Sequence, residues 1–169
     1  GQLGFSVLAI DYRGFGQSTD RSDDALPSEA RAYEDARAAW DWIAHRHPQQ
    51  RRYIFGHSLG SAIAVQLAAE VGDASGLIVE GSFTSIPDVV SSFKWGWLPV
   101  GPLITQRFEA VKRVPDIGSP LLVVHGTNDT LIPPELGRKL FDAATGRKAF
   151  VLVEGGSHHN TNSIGQAQY

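Results

Sequence analysis

Residues 51–70, RRYIFGHSLGSAIAVQLAAE, pass from charge into a short apolar run, meet a serine between two glycines, and leave as an alanine-rich helical pattern. That order predicts a strand turning sharply into a helix, with glycines at the corner and small Ala62 and Ala64 allowing the helix to pack closely. In this context GHSLG (56–60) is a G-x-S-x-G elbow, a turn that exposes the hydroxyl of Ser58 and aims the next backbone N–H, that of Leu59, at a developing oxyanion. As a bare pattern it is weak, and a serine in a plain turn would also satisfy it. Its place between a strand signal and a helix signal favours the nucleophile. His57 adjoins the serine in the chain, the wrong relation for its base, and is read as a packing residue.

Outward from this stretch, strand and helix signals alternate. GFSVLAIDY (4–12) is a β-rich run ending in the polar loop DYRGFGQSTDRSDD (11–24), and it predicts a buried strand. SEARAYEDARAAWDWIAHRH (28–47) predicts a helix with Ser28 as N-cap, Ala30, Tyr33, Ala36, Trp40 and Ile43 along one face, and Pro48 beyond its end. The runs RRYIFG, SGLIVEG, PLLVVHG and KAFVLVEGG supply further strands, each closed by glycine, and helical patterns follow at Ser58–Val71 and Glu135–Ala144. Near-continuously apolar strands alternating with helices define an α/β class, a mostly parallel sheet with helices on both faces. A single domain over residues 1–169 is expected, with 83–114 as a small cap-like insertion.

Composition narrows the function classes. With 169 residues and 42% hydrophobic content, the chain can bury a sizeable core. A net charge of −3 with 20% charged residues provides no field for nucleic acid or an anionic membrane surface. The absence of cysteine excludes a disulfide framework, a zinc-thiolate site and a cysteine nucleophile. No apolar run reaches the roughly 18 residues of a membrane span, and the first residues lack a signal-peptide pattern. That slightly favours the cytoplasm, although a longer N-terminus would be able to carry a signal or anchor. With no methionine present, the chain reads as a fragment or a processed product. Oligomeric state is not legible.

Ligands of open α/β sheets bind beyond the carboxyl ends of the strands. The residues there are Asp11, Ser58, Glu80, Asp129, His158 and His159. VEGGSHHN (153–160) delivers a base on the loop after the last strand. His158, at G-x-x-H spacing, is preferred over His159 as the residue that relays the serine proton. Asp129 would orient the imidazole and stabilise imidazolium, with Glu80 as the alternative acid and an Asx-turn as the plain structural reading of Asp129. Asp88 and Asp116 read as loop residues. The order Ser, Asp, His along the chain fits a triad on this fold.

With DYRGFGQS (11–18), GHSLGS (56–61), FTSIPDVV (83–90), PLLVVHGTNDTLIP (120–133) and EGGSHHN (154–160) in this order, the chain resembles the α/β-hydrolase superfamily. Within it, the serine-aminopeptidase-like group, which includes small esterases and protein depalmitoylases, is most similar. The resemblance implies Ser58 as nucleophile, Asp129 as acid, His158 as base, and no metal or organic cofactor. It also implies strands ahead of GFSVLAIDYRG, one of them followed by a loop, often His-Gly, that gives a second oxyanion N–H. That loop is absent here, and GQLG looks like a helix tail with Gly4 as C′ residue. The expectation is a truncated hydrolase.

The substrate is the least legible feature. The insertion contains Phe83, Phe93, Trp95, Trp97, Leu98 and Phe108. Tyr12, Phe83, Trp95 and Trp97 are candidates for an acyl pocket, and covering the sheet edge is the alternative role for such aromatics. Arg13, Lys94, Arg107 and Arg113 are too scattered to define an anion site. The expected function is a serine hydrolase of a carboxylic ester or thioester acting through an acyl-enzyme on a small-molecule or acylated substrate. A peptidase or amidase, a non-catalytic binding module and a partial hydrolase inactive alone are the alternatives.

Overall fold

The computed structural model describes residues 4–13, 28–92 and 105–165. The chain forms two compact units, Gly1–Gln50 and Arg51–Tyr169.

In the first unit, α1 spans Glu29–Arg46. The Ser28 hydroxyl accepts from the Arg31 N–H at 3.2 Å, as an N-cap should, and at the far end the His47 N–H donates to the Ile43 carbonyl. The buried row is Ala32, Ala36 and Trp40, an i, i+4 ridge. This corrects the expected face: Ala30 is exposed, and Tyr33 and Ile43 are half-buried. Ala30 has little apolar area to bury, and the Tyr33 hydroxyl donates to Glu29 at 2.7 Å, which holds the ring along the helix.

The strand expected at 4–12 does not form. Residues 5–12 belong to no strand, and Phe5, Val7 and Leu8 are 61%, 84% and 43% exposed. An apolar alternation becomes a strand only with a neighbouring ladder and a covering layer, and among the described residues of this unit there is no other strand to pair with it. Its end is fixed instead by side chains. The Arg13 N–H and Nε donate to the Asp35 carboxylate at 2.8 and 2.7 Å, and Nη2 donates to Glu34 at 2.7 Å. The helix tail expected before Gly4 lies outside the described residues.

The second unit contains a four-stranded, all-parallel sheet in the order β1 (Tyr53–His57), β2 (Gly76–Glu80), β3 (Leu121–Gly126) and β4 (Lys148–Val153). Between them lie α2 (Leu59–Glu70), α3 (Ile86–Ser92), α4 (Ala110–Arg113), a 3-10 turn (Val114–Asp116) and α5 (Pro134–Ala143); α6 (Thr161–Gly165) follows β4. On one face α2 packs on β1 and β2, α5 packs on β3 and β4, and α4 joins the two helices. There Ile54, Leu77, Val79, Leu121 and Val123 meet Ile63, Val65 and Leu140, all buried. On the other face α6 lies against β4, while Tyr53 and Phe55 of the edge strand β1 are exposed. The register pairs His57 with Glu80, Glu80 with Val124 and Gly126 with Val153, so the four carboxyl ends share one edge.

The two elbow glycines differ in what they do. A Cβ on Gly56 would sit 2.3 Å from the Gly60 carbonyl oxygen and 2.7 Å from Cβ of Ala64, whereas one on Gly60 would meet nothing within 4 Å. Gly56→Ala should therefore lower the unfolding free energy by about 1–3 kcal/mol through overpacking. Gly60→Ala, a change a helix ordinarily welcomes, should not destabilise at all. Urea unfolding of both variants checks this, and equal losses would show that the asymmetry has no energetic content.

Candidate active site

Ser58 stands between the last residue of β1 and the first of α2, with φ 54° and ψ −122°. A positive φ in a residue with a Cβ costs about 1–3 kcal/mol and persists only where its surroundings enforce it. Here the Ser58 N–H donates to the Glu80 carbonyl at 2.9 Å, and the Ser58 carbonyl accepts from the Ser61 N–H at 2.9 Å and the Ser61 hydroxyl at 2.5 Å. β2 and the first turn of α2 thus clamp the corner and leave the hydroxyl raised above the sheet edge. Leu59 opens α2, so its N–H is one of the first four in the helix, which have no intrahelical acceptor.

Two later strands deliver the partners. After β4, the turn through Gly155 brings His158 back, buried, with Nε2 2.9 Å from Ser58 Oγ and Nδ1 2.8 Å from Asp129 Oδ2. An ionised carboxylate only accepts, so Nδ1 carries the hydrogen and Nε2 is left to accept from the serine hydroxyl. Asp129, three residues beyond β3, forms the Asx-turn and the acid contact at once: Oδ1 accepts from the N–H groups of Leu131 (3.0 Å) and Ile132 (2.8 Å), and Oδ2 faces His158.

Burial by itself would push the Asp129 carboxyl up. The close His125 N–H and the hydrogen bonds from His158 and the Ile132 N–H outweigh it and hold the group well below the usual carboxylate range. A depressed folded-state value stabilises the fold above the unfolded-state pKa, and that contribution is lost as the pH falls below about 3.8. Urea midpoints measured from pH 5 down to 2.5 should therefore drop more steeply for the native protein than for Asp129→Asn. Parallel profiles would overturn the assignment.

Three neighbours of the site make contacts that the sequence did not show. The His57 ring packs 4.9 Å from that of His158, and its Nε2 donates to the His158 backbone carbonyl at 2.9 Å. His57 therefore ties the end of β1 to the histidine loop as well as packing. Gly81, at φ 57°, lies under His158: a Cβ there would stand 3.1 Å from Cε1 of the imidazole and 3.6 Å from Asp129 Oδ2. His125 of β3 is fully buried, with Nε2 2.9 Å from the Ile132 carbonyl and 3.4 Å from Asp129 Oδ2. A histidine bonded to a backbone carbonyl has no motif. Only an imidazole inside an otherwise aliphatic strand run, LLVVHG, signals it.

The other expected residues fall elsewhere. His159 is exposed, its ring edge-on to His158 at 5.3 Å. Glu80 is buried at the end of β2, and its backbone carbonyl, not its carboxylate, is what Ser58 meets. Phe83 and Phe108 are fully buried. Tyr12 belongs to the first unit and is half-buried; burial and then the charge of Asp35 push its hydroxyl up. Trp95 and Trp97, with Phe93 and Leu98, lie outside the described residues. Asp88 is in the first turn of α3 rather than a loop, with its N–H donating to the Ser85 hydroxyl. Among the described residues no group of three or more His, Asp or Glu could hold a metal ion, and no helix is long and apolar enough to cross a membrane.

A parallel sheet with a serine on its strand-to-helix corner, and an acid and a histidine arriving from the next strands, is the architecture of the α/β hydrolases. The chain belongs to the serine aminopeptidase, S33 family, whose profile matches residues 1–109. Among curated proteins it is similar to an uncharacterized protein of Mycobacterium tuberculosis (36% identical, over 94% of this chain and 54% of the relative). It is also similar to the lysophosphatidylserine lipase ABHD12 of Danio rerio (33% identical, 87% of this chain and 41% of the relative). The chain thus spans about half the length of the curated relatives it matches. Among solved structures, an acetyl xylan esterase from Paenibacillus sp. R4 shares the fold at a TM-score of 0.76 with 16% identity (95% of this chain, 62% of that one). An α/β serine hydrolase homologue from Coxiella burnetii does so at 0.64 with 22% identity (94% and 63%).

Proposed function

We propose that this chain carries the reacting groups of a serine hydrolase that cleaves a carboxylic ester or thioester. The observation that carries the reading is the unbroken relay Ser58 Oγ, His158 Nε2, His158 Nδ1, Asp129 Oδ2, with both links under 3 Å. Ser58 Oγ attacks the acyl carbon while His158 Nε2 takes its proton, and the Leu59 N–H donates to the oxyanion. The tetrahedral adduct collapses, the alcohol or thiol leaves with the proton from His158, and the acyl group stays on Ser58. Water, deprotonated by the same nitrogen, then releases the acid and restores the serine. Asp129 keeps the hydrogen on Nδ1 throughout and stabilises the transient imidazolium. No step calls on a metal or cofactor.

Two relatives support an ester. ABHD12 is named as a lysophosphatidylserine lipase, and the Paenibacillus protein as an acetyl xylan esterase. The family description and a puromycin-hydrolyzing peptidase among the fold neighbours keep an amidase as the second reading. The test is fluorophosphonate labelling of the intact protein, followed by p-nitrophenyl esters, thioesters and aminoacyl amides of graded acyl length. Rapid labelling at Ser58 with ester and thioester turnover well above amide turnover is expected. Amide preference would install the second reading, and no labelling would leave a binding module.

A further inference from the structure

We infer that His125, which the mechanism above does not use, is a positioning residue: it fixes the Asp129 carboxylate by presenting one buried imidazole N–H to that group and to the loop that carries it. The inference rests on the proposed triad. His125 lies on the face of β3 shared by Leu121 and Val123, where an aliphatic side chain would continue the pattern, and is fully buried. Two unfavourable features accompany it. Its Nδ1 is buried without a hydrogen-bond partner, a situation rare in native proteins and in need of a reason wherever it occurs. The ring also presses so closely on α5 that a Cβ on Gly137 would stand 2.4 Å from Nδ1, so a helix of ten residues carries a glycine in its interior.

Both features follow from the task of the other nitrogen. Nε2 lies 2.9 Å from the Ile132 carbonyl and 3.4 Å from Asp129 Oδ2. Neither oxygen has a hydrogen to give, so Nε2 carries it and the bare lone pair falls on Nδ1, against Gly137. One N–H therefore spans the two ends of the turn from Asp129 to Ile132. The Leu131 and Ile132 amides hold Oδ1 from within the same turn, and His158 holds Oδ2 from across the site. With His125 Nε2 3.4 Å from Oδ2, the carboxylate is restrained from a third direction. A leucine at 125 would remove the orphan nitrogen and still fill the strand face, but it would release that restraint and with it the tilt of the His158 ring.

The test uses the intact protein on a short-chain p-nitrophenyl ester, with His125→Leu, His125→Gln and Ser58→Ala side by side. His125→Leu should fold cooperatively, lower kcat by roughly 10–100-fold and leave KM within about threefold, the signature of misaligned reacting groups. His125→Gln, whose amide nitrogen reaches the place of Nε2, should recover kcat to within about threefold of the native value. Independently of turnover, 15N shifts at pH 8 should show His125 in the Nε2-protonated tautomer, a readout that survives if the leucine variant fails to fold. Native kcat in His125→Leu, equal impairment in His125→Gln, or an Nδ1-protonated ring would each overturn the inference. Near-native turnover of Ser58→Ala would instead bring down the triad reading itself, so the two failures are distinct.

Discussion

Ser58→Ala should lower kcat on any ester substrate by roughly 10³ or more, with KM nearly unchanged, because the three groups of the proposed triad act as a unit and Ser58 Oγ is the hydroxyl bonded to His158 Nε2. The fold should tolerate the change. The serine hydroxyl has His158 as its recorded partner, while the bonds that clamp the corner run through the backbone of residue 58 and remain. Alanine inherits the strained φ of 54°, since it keeps a Cβ. Ser58→Gly removes that Cβ and should be more stable than Ser58→Ala by up to about 1 kcal/mol while equally inactive, which separates the strain of the elbow from its chemistry. Steady-state kinetics and urea unfolding of the two variants supply both readings. Near-normal kcat in either would sink the mechanism, and equal stabilities would show that the elbow stores no strain.

The elbow was legible because each of its requirements is local. A glycine where the helix crosses the strand, a serine at the corner and alanines on the first turns all lie within ten residues of one another. Asp129 and His158 were legible for the related reason that each follows the end of an apolar run, and register then brings those ends to one edge. The sequence was misleading where burial depends on distant partners. GFSVLAIDY has the composition of a strand, yet a strand needs a ladder beside it and cover above it, and neither is encoded in the run. The face of α1 slipped in the same way, because Tyr33 is as compatible with a bond to Glu29 as with a core.

Three histidines, one in the proposed triad and two beside it, show a further limit. His57, His125 and His158 all follow or end apolar runs, and all three use a ring nitrogen on an oxygen. What distinguishes them is the acceptor or donor each meets: the backbone carbonyl of His158 for His57, that of Ile132 for His125, and a hydroxyl with a carboxylate behind it for His158. Only the last pairing leaves one nitrogen free to accept a proton from a neighbour while the other is held by a charge, which is the requirement for relay. The sequence offers two adjacent histidines, ranked by spacing from Gly155; in the fold His158 is buried against Ser58 and His159 is exposed.

That separation gives the second large effect. His158→Ala should cost about as much kcat as Ser58→Ala, roughly 10³ or more, while His159→Ala should stay within about threefold of the native rate. His158 is buried, bonded at both ring nitrogens, and held by its own carbonyl to His57, so its loss removes the proposed base and its link to Asp129 together. His159 is exposed and meets His158 through an edge-on ring contact, centroids 5.3 Å apart, which places it beside the base rather than between the base and Ser58. Stability should sharpen the distinction: His158→Ala opens a gap above Gly81 and strips Asp129 Oδ2 of the Nδ1–H that bonds it, so it should unfold at lower urea, whereas His159→Ala should not. Fluorophosphonate labelling rates measured on both variants report the same ranking without needing the natural substrate. If His159→Ala proved the slower to label, the base would have to be reassigned to it and the loop after Gly155 would have to turn by one residue on binding substrate.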